Sequence, residues 1–213
     1  MSIAVIVAVG ALFAVLGAVA ERLASVWPAH GAEHRPPGVR TGLLAAVSGA
    51  GAAAVTARST LPWWALAVYL LLLGLLVVLV ATDLEQRRLP HLLLDPLIVI
   101  GALFIPFNPA VTPLSAVVGG VAAVAFLGLL TLVVRGGLAR GDLYLVLPLG
   151  FMLGFPLVFT ALFAAAFLSA GVSIFLLARR KVGMKTYIPF GPFLVAGTMI
   201  ALILDDRVLS AVR

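Results

Sequence analysis

Cysteine is absent from this 213-residue sequence, and charged residues make up only 10% of it. Without cysteine the chain forms no disulfide, no thiolate metal site and no cysteine nucleophile. The sequence is rich in apolar residues instead, since 63% of it is hydrophobic and the mean hydropathy is +1.24. No soluble domain needs that much apolar surface, so an ordinary soluble protein is excluded.

Long apolar runs recur from one end of the sequence to the other. A helix of roughly 20 apolar residues spans a bilayer, and lipid offers the backbone no other hydrogen-bond partners. We therefore predict an all-α, polytopic membrane protein in which residues 1–213 form one domain embedded in the lipid bilayer. About eight transmembrane helices are predicted, at 3–20, 41–57, 61–82, 93–107, 113–134, 142–154, 156–178 and 188–204.

The positive charges lie in the short connections between these segments. A net charge of +6 would suggest a nucleic-acid partner in a soluble protein, but here it indicates membrane topology. The first, third, fifth and seventh connections hold eleven of the 14 Lys and Arg residues. Because positive loops favour the cytoplasm, we predict that these connections are cytoplasmic and that both termini lie outside the inner (plasma) membrane. No nucleic-acid partner is expected, and the oligomeric state is left open.

Two aspartates are predicted to lie at the cytoplasmic face. Asp83 closes the third apolar segment and Asp142 opens the sixth. Two carboxyl groups brought close in a low-dielectric site do not both ionise easily, so they would share a proton. Such a pair can activate water with one member and protonate a carbonyl oxygen with the other. A structural interpretation stays open, because Asp142 also fits an N-cap and an acidic residue at a helix end is ordinary.

Three stretches of the sequence resemble, in order, the signatures of the type IV prepilin leader peptidase family. Residues 83–90, DLEQRRLP, are similar to its first signature, in which six residues separate Asp from Pro. Residues 139–142, ARGD, resemble its GxGD signature, and YIPFGPFLVAG at 187–197 is similar to its C-terminal segment. The resemblance implies a membrane aspartic endopeptidase that removes short basic leaders from prepilin-like or pseudopilin precursors at the cytoplasmic face.

The resemblance also implies roles for individual residues. Asp83 and Asp142 match the two catalytic aspartates, with water as the nucleophile and no metal or cofactor. Gly141 lacks Cβ and would allow the backbone to approach the reactive carboxyl group. The other positions expected to support the site or to contact substrate are Ala139, Tyr144, Glu85, Pro90, Pro189, Gly191 and Pro192.

The sequence departs from the family pattern in three places. Ala139 stands where GxGD has its first glycine, and Tyr144 stands where the family often has a lysine that could steady an ionised aspartate. Larger members carry a cytoplasmic insert with zinc-binding cysteines, whereas this chain has the short loop 21–40 in its place. We therefore expect peptidase activity alone, without N-methylation of the product, and an altered substrate choice.

Acidic residues would be needed to attract a basic leader, and the candidates next to the first signature are Glu85 and Asp95. Glu85 is otherwise predicted to be a solvated loop charge. Asp95 with Pro96 fits an N-cap followed by proline at the first helical position, so we assign this pair a structural role.

Other functions remain open at the level of sequence. Residues 30–34, HGAEH, match an inverted zinc-peptidase pattern, but Gly31 and the prolines around it disfavour the necessary helix, and a solvated loop is expected. A small transporter that binds a cation or proton at the two aspartates is one alternative, and a peptidase-like protein without activity is another. Close pairing of the carboxyl groups favours the enzyme, and wide separation favours transport.

Overall fold

The structure, a computed structural model, describes residues 1–27, 37–133, 140–180 and 188–204. Within these ranges the chain forms eight α-helices and one 3₁₀ turn, Ile105–Phe107, and no β-strand. The all-α prediction is confirmed, and each predicted apolar segment coincides with one helix. The helices are α1 Ile3–Ala24, α2 Val39–Arg58, α3 Trp63–Gln86, α4 His91–Phe104, α5 Pro113–Val133, α6 Arg140–Leu153, α7 Leu157–Ala178 and α8 Gly191–Leu204.

Five helices in the described part of the chain are long and apolar enough to cross a membrane: α1, α2, α3, α5 and α7. The other three, α4, α6 and α8, have 14 residues each. These lengths support a polytopic membrane protein. Eight complete spans, a single domain and outward-facing termini stay predictions.

Several helices extend beyond the apolar runs that predicted them. α1 continues through Glu21 to Ala24 and α2 begins at Val39, so the predicted loop 21–40 is shorter than expected. α3 likewise continues to Gln86. The hydrogen bonds of a helix run along the backbone, so a helix can continue past its apolar stretch into the polar zone of the membrane surface.

The start of α4 corrects one prediction. Asp95 and Pro96 lie inside α4, which begins at His91 after the N-cap residue Pro90. The carbonyl oxygen of Pro90 accepts hydrogen bonds from the first turn of the helix, including one of 3.0 Å from the N–H of Leu93. The predicted N-cap at Asp95 is wrong because Pro90 starts the helix earlier.

Three helices form the inner part of the bundle. In the most apolar stretch of α3, 56% of the residues are buried, against 17% in α1 and in α7. α3 packs against α1, α2, α4 and α8, and α6 packs against α4, α5, α7 and α8. The inner helices are therefore α3, α6 and α8, and each begins or ends near one of the three signature stretches.

α1 and α2 pack closely through small residues. A Cβ atom on Gly49 would lie 2.8 Å from the carbonyl oxygen of Gly10 and 3.0 Å from Cβ of Ala14. Ser48 Oγ donates a hydrogen bond of 2.8 Å to the carbonyl oxygen of Phe13 in the facing helix. Small residues allow such close approach between membrane helices.

The ends of α1 and α3 and the starts of α2, α4, α6 and α8 meet at one end of the bundle, which we call the site face. Gln86 Nε2 at the end of α3 donates a hydrogen bond of 2.8 Å to the carbonyl oxygen of Ala24 at the end of α1. Arg40 at the start of α2 pairs with Glu85 in α3. The described residues of the predicted basic connections therefore lie at one face of the bundle.

Candidate active site

Asp83 lies in the last turn of α3 at the site face. Its carbonyl oxygen accepts a hydrogen bond of 2.9 Å from the N–H of Arg87, whose left-handed conformation (φ 53°) ends the helix. Only 5% of Asp83 is exposed, because the preceding turn is buried as well. The carboxyl group is thus held on a rigid element and is almost entirely removed from solvent.

Asp142 lies in the first turn of α6 and is 1% exposed. A carboxylate in this position interacts favourably with the positive end of the helix dipole. Leu145 and Val146, one turn further on, are completely buried. This burial within the helix does not support the alternative in which Asp142 is a solvated N-cap.

The structure brings Asp83 and Asp142 together from distant parts of the sequence. The carboxyl group of Asp142 lies close enough to act electrostatically on that of Asp83. Two acidic groups that interact inside a protein take up and release protons as a pair. The two aspartates therefore lie near enough to influence each other's protonation.

Gly191, the first residue of α8, lies directly against Asp83. A Cβ atom on Gly191 would be 2.6 Å from Asp83 Oδ2 and 3.7 Å from Cδ2 of Leu145 in α6. The backbone N–H of Gly191 interacts with the Asp83 carboxyl group. Pro192 occupies the second helical position, where the missing N–H has no cost. Gly191 of the third signature can therefore lie against Asp83 of the first signature because glycine carries no side chain.

One oxygen of Asp83 is left without a hydrogen bond. Of the buried side-chain nitrogen and oxygen atoms in the described ranges, Asp83 Oδ2 is the one that has no hydrogen-bond partner. Leaving a buried polar atom unpaired costs about 1–3 kcal/mol. Such a cost is tolerated at sites where the atom interacts with another molecule.

The second signature packs against the first through Gly141. A Cβ atom on Gly141 would lie 3.0 Å from Cδ1 and 3.2 Å from Cβ of Leu89, and all of its nearest atoms belong to that residue. Leu89 is followed by Pro90, the N-cap of α4. Gly141 therefore allows α6 to approach the segment between α3 and α4. Its expected role beside the reactive carboxyl group of Asp142 stays a prediction.

Tyr144 is 48% exposed and packs against His91. The two rings meet edge to face, with centroids 5.2 Å apart and an interplanar angle of 75°. His91 Nδ1 in turn lies 3.1 Å from Asp95 Oδ1. Where the family often has a lysine, this chain thus has an aromatic ring that positions an imidazole.

Comparison with known proteins agrees with this arrangement. Residues 70–174 match the sequence profile of the type IV leader peptidase family, and this range contains both aspartates. A prepilin leader peptidase/N-methyltransferase from Aeromonas hydrophila is 31% identical over 157 residues, which is 71% of this chain and 54% of the relative. The chain belongs to the type IV leader peptidase family. It spans about half the length of that relative, and no solved structure matches it.

In this leader peptidase family member Glu85 is not a loop residue. It lies in the last turn of α3, and its Oε2 is 3.5 Å from Arg40 Nη1. Both residues face a groove of about 390 Å³, which we call the α2–α3 groove. The groove is lined by Glu21, Arg40, Leu43, Leu44, Val47, Val80, Ala81, Leu84, Glu85 and Pro192.

Sequence reasoning missed Glu21 and Arg40 as groove residues. They stand at the two ends of the first connection, which holds a second acidic residue, Glu33, so no signal in the sequence singled out Glu21. Pro189 lies just before α8 in a non-helical stretch and is half-buried. Ala139 and the residues 30–34 lie outside the described parts of the chain. Within the described parts, no group of three or more His, Cys, Asp or Glu side chains could hold a metal ion.

Proposed function

We propose that this protein is a membrane aspartic endopeptidase that removes short basic leaders from prepilin-like or pseudopilin precursors. The observation that carries the proposal is the buried pair of carboxyl groups, Asp83 and Asp142, on neighbouring helix ends. Membership of the type IV leader peptidase family supports the class of reaction. The electrostatic interaction between the two buried groups favours a peptidase over the alternative of a transporter, for which we expect widely separated carboxyl groups along a water path.

In the proposed mechanism, the two carboxyl groups hold one proton between them. The ionised member removes a proton from a water molecule, and this water attacks the carbonyl carbon of the scissile peptide bond. The protonated member donates its proton to the carbonyl oxygen as the tetrahedral intermediate forms. The first carboxyl group then passes its proton to the leaving amine as the C–N bond breaks, and a hydroxyl group of the intermediate returns a proton to the second carboxyl group, which restores the singly protonated pair. Asp83 Oδ2, which has no hydrogen-bond partner among the described residues, supports this role because a water or substrate group would supply the missing bond.

We further propose that the site face is the cytoplasmic face of the inner (plasma) membrane. The support is the charge of the helix ends there, because positive residues mark the cytoplasmic side. At or beside the ends of α3, α6 and α7 the positive residues are Arg87, Arg88, Arg140, Arg179 and Arg180. In the same proposal the chain is a short form with peptidase activity alone, since it has no cysteine for a zinc-binding insert.

The test is cleavage of a precursor by purified protein reconstituted in lipid. Asp83→Asn and Asp142→Asn are each expected to lower kcat by about a thousandfold or more, because general acid–base catalysis by a positioned side chain is worth that much. Both variants should remain as thermally stable as the native protein, since asparagine fills the same space. The readout is the rate at which the leader is released.

The matched control is Asp95→Asn, which makes the same substitution at an exposed aspartate of the site face. It is expected to cleave at the native rate. Full activity in either Asp83→Asn or Asp142→Asn would contradict the mechanism.

A further inference from the structure

The α2–α3 groove combines an apolar floor with two carboxylates. Its floor consists of aliphatic side chains from α2 and α3, and Glu21 and Glu85 stand at its edge. Thr41 Oγ1 donates a hydrogen bond of 2.8 Å to Glu21 Oε2, which fixes one of these carboxylates. Among the described residues of the lining, Arg40 is the only cation. These described residues carry one more negative than positive charge, although the chain as a whole has a net charge of +6.

The groove lies beside the elements that carry the first aspartate. Pro192 lines it, and the preceding residue, Gly191, contacts Asp83. On α3, the groove residues Leu84 and Glu85 directly follow Asp83. The groove is therefore a neighbouring surface from which a bound peptide could extend toward the start of α8.

The two side chains of the Arg40–Glu85 ion pair differ in their exposure to solvent. The side chain of Arg40 is 70% exposed and that of Glu85 is 18% exposed, and their charged atoms are 3.5 Å apart. Such partly exposed pairs contribute little stability, because solvent screens the charges and two long side chains lose freedom. A second cation can therefore take the place of Arg40 at Glu85 with little loss of folding free energy.

We propose that the α2–α3 groove binds the basic leader of the precursor, with Glu21 and Glu85 as specificity-determining residues and Arg40 as a cation that the leader displaces. The inference rests on the proposed peptidase function. Lysine and arginine fit this lining because their aliphatic stems pack on apolar surface while their charged ends reach a carboxylate. A lipid acyl chain would cover the floor but would offer no cation to Glu21 or Glu85.

Two substitutions of the ion pair are expected to act in opposite directions. Glu85→Gln removes the leader's partner and should raise KM by about tenfold, since a hydrogen bond between charged groups is worth about that factor. Arg40→Gln removes the competitor and should lower KM by about threefold, the scale of an exposed ion pair. In both variants kcat should stay at the native value, and Arg58→Gln, which makes the same substitution at the opposite end of α2, should change neither constant.

The substrate for this test is a synthetic precursor with a lysine-rich leader, and its matched control carries glutamine at each lysine position. Native protein should prefer the lysine leader, and Glu85→Gln should lose most of that preference. If Arg40 and Glu85 form a merely structural pair, both variants will lower thermal stability and shift KM in the same direction. That result, or equal KM values for the two leaders in the native protein, would overturn the proposal.

Binding to the inactive Asp142→Asn protein separates this proposal from the peptidase function. We expect a fluorescent lysine-leader precursor to bind it more tightly than the glutamine-leader control, and Glu85→Gln/Asp142→Asn to abolish the difference. If no cleavage is seen with native protein while this preference persists, the peptidase function fails and the groove assignment stands. If cleavage depends on both aspartates but binding ignores leader charge, the groove assignment fails alone.

Discussion

The two ends of α3 bury polar groups in opposite ways. Near its start, Tyr69 Oη accepts a hydrogen bond of 3.0 Å from Asn108 Nδ2 and donates one of 3.0 Å to the carbonyl oxygen of Met152. Asn108 Oδ1 accepts a further bond of 3.0 Å from the N–H of Ala110. Near its end, Asp83 Oδ2 has no hydrogen-bond partner among the residues that the structure describes.

This difference separates a structural polar site from a reactive one. A fully paired buried network fixes the helices that contribute to it, and here it joins α3, α6 and the segment after α4. An unpaired buried carboxyl oxygen destabilises the fold unless another molecule satisfies it. We therefore expect substitutions near Tyr69 to affect stability and substitutions near Asp83 to affect turnover.

Among the substitutions outside the aspartate pair, the largest effect is expected for Gly191→Ala. The new methyl group would lie 2.6 Å from Asp83 Oδ2, so either the carboxyl group or the start of α8 must move. A displacement of about 1 Å in a catalytic group costs about a hundredfold in rate. The measurement is kcat for precursor cleavage, together with the unfolding temperature in the same lipid.

Gly171→Ala is the matched control, because no atom lies within 4 Å of the new methyl group there. It should leave both kcat and the unfolding temperature unchanged. If Asp83 causes the clash, Gly191→Ala/Asp83→Ala should be more stable than Gly191→Ala alone. Native turnover in Gly191→Ala would show that the tight contact has no role in catalysis.

A smaller effect, on stability alone, is expected for Tyr69→Phe at the other end of α3. Removing the hydroxyl group leaves the carbonyl oxygen of Met152 and the amide of Asn108 each without one partner. The loss in free energy of unfolding should be about 1–3 kcal/mol, while kcat stays at the native value. A large fall in kcat at unchanged stability would contradict the assignment of a structural role to the start of α3 and a catalytic role to its end.

The smallest effect is expected for Tyr144→Phe. Phenylalanine keeps the edge-to-face contact with His91, and the position is half exposed. Surface substitutions of this kind change stability by less than about 0.5 kcal/mol, and the cleavage rate should stay within about twofold, a factor that corresponds to the same free energy. A loss of activity comparable with that of Gly191→Ala would show that the Tyr144 hydroxyl group takes part in the reaction.

The sequence was informative about helices and about the two aspartates. Apolar runs predict the helices because only helices satisfy the backbone in lipid, so α3 and α6 were found with errors confined to their ends. Asp83 and Asp142 stood out because charged residues are rare beside such runs. Loop charges then indicated that both belong to one face of the membrane.

The contacts that define the site could not be predicted in the same way. In a soluble protein the apolar face of a helix shows which side packs inward, but lipid-facing and buried side chains of a membrane helix are equally apolar. Nothing local in the sequence therefore reveals that Gly191 touches Asp83, that Arg40 pairs with Glu85, or that Gly141 contacts Leu89. These contacts depend on how whole helices are arranged.

The shortness of α4 bears on how water reaches the aspartates. At ~1.5 Å per residue, its 14 residues extend over about 21 Å, whereas the hydrocarbon core of a bilayer is about 30 Å thick. A membrane around a helix of this length must become thinner locally or admit water at one end. α4 begins at the site face, next to the residue Leu89 that packs against Gly141, so a dip in the membrane surface there would supply the attacking water without a channel through the bundle.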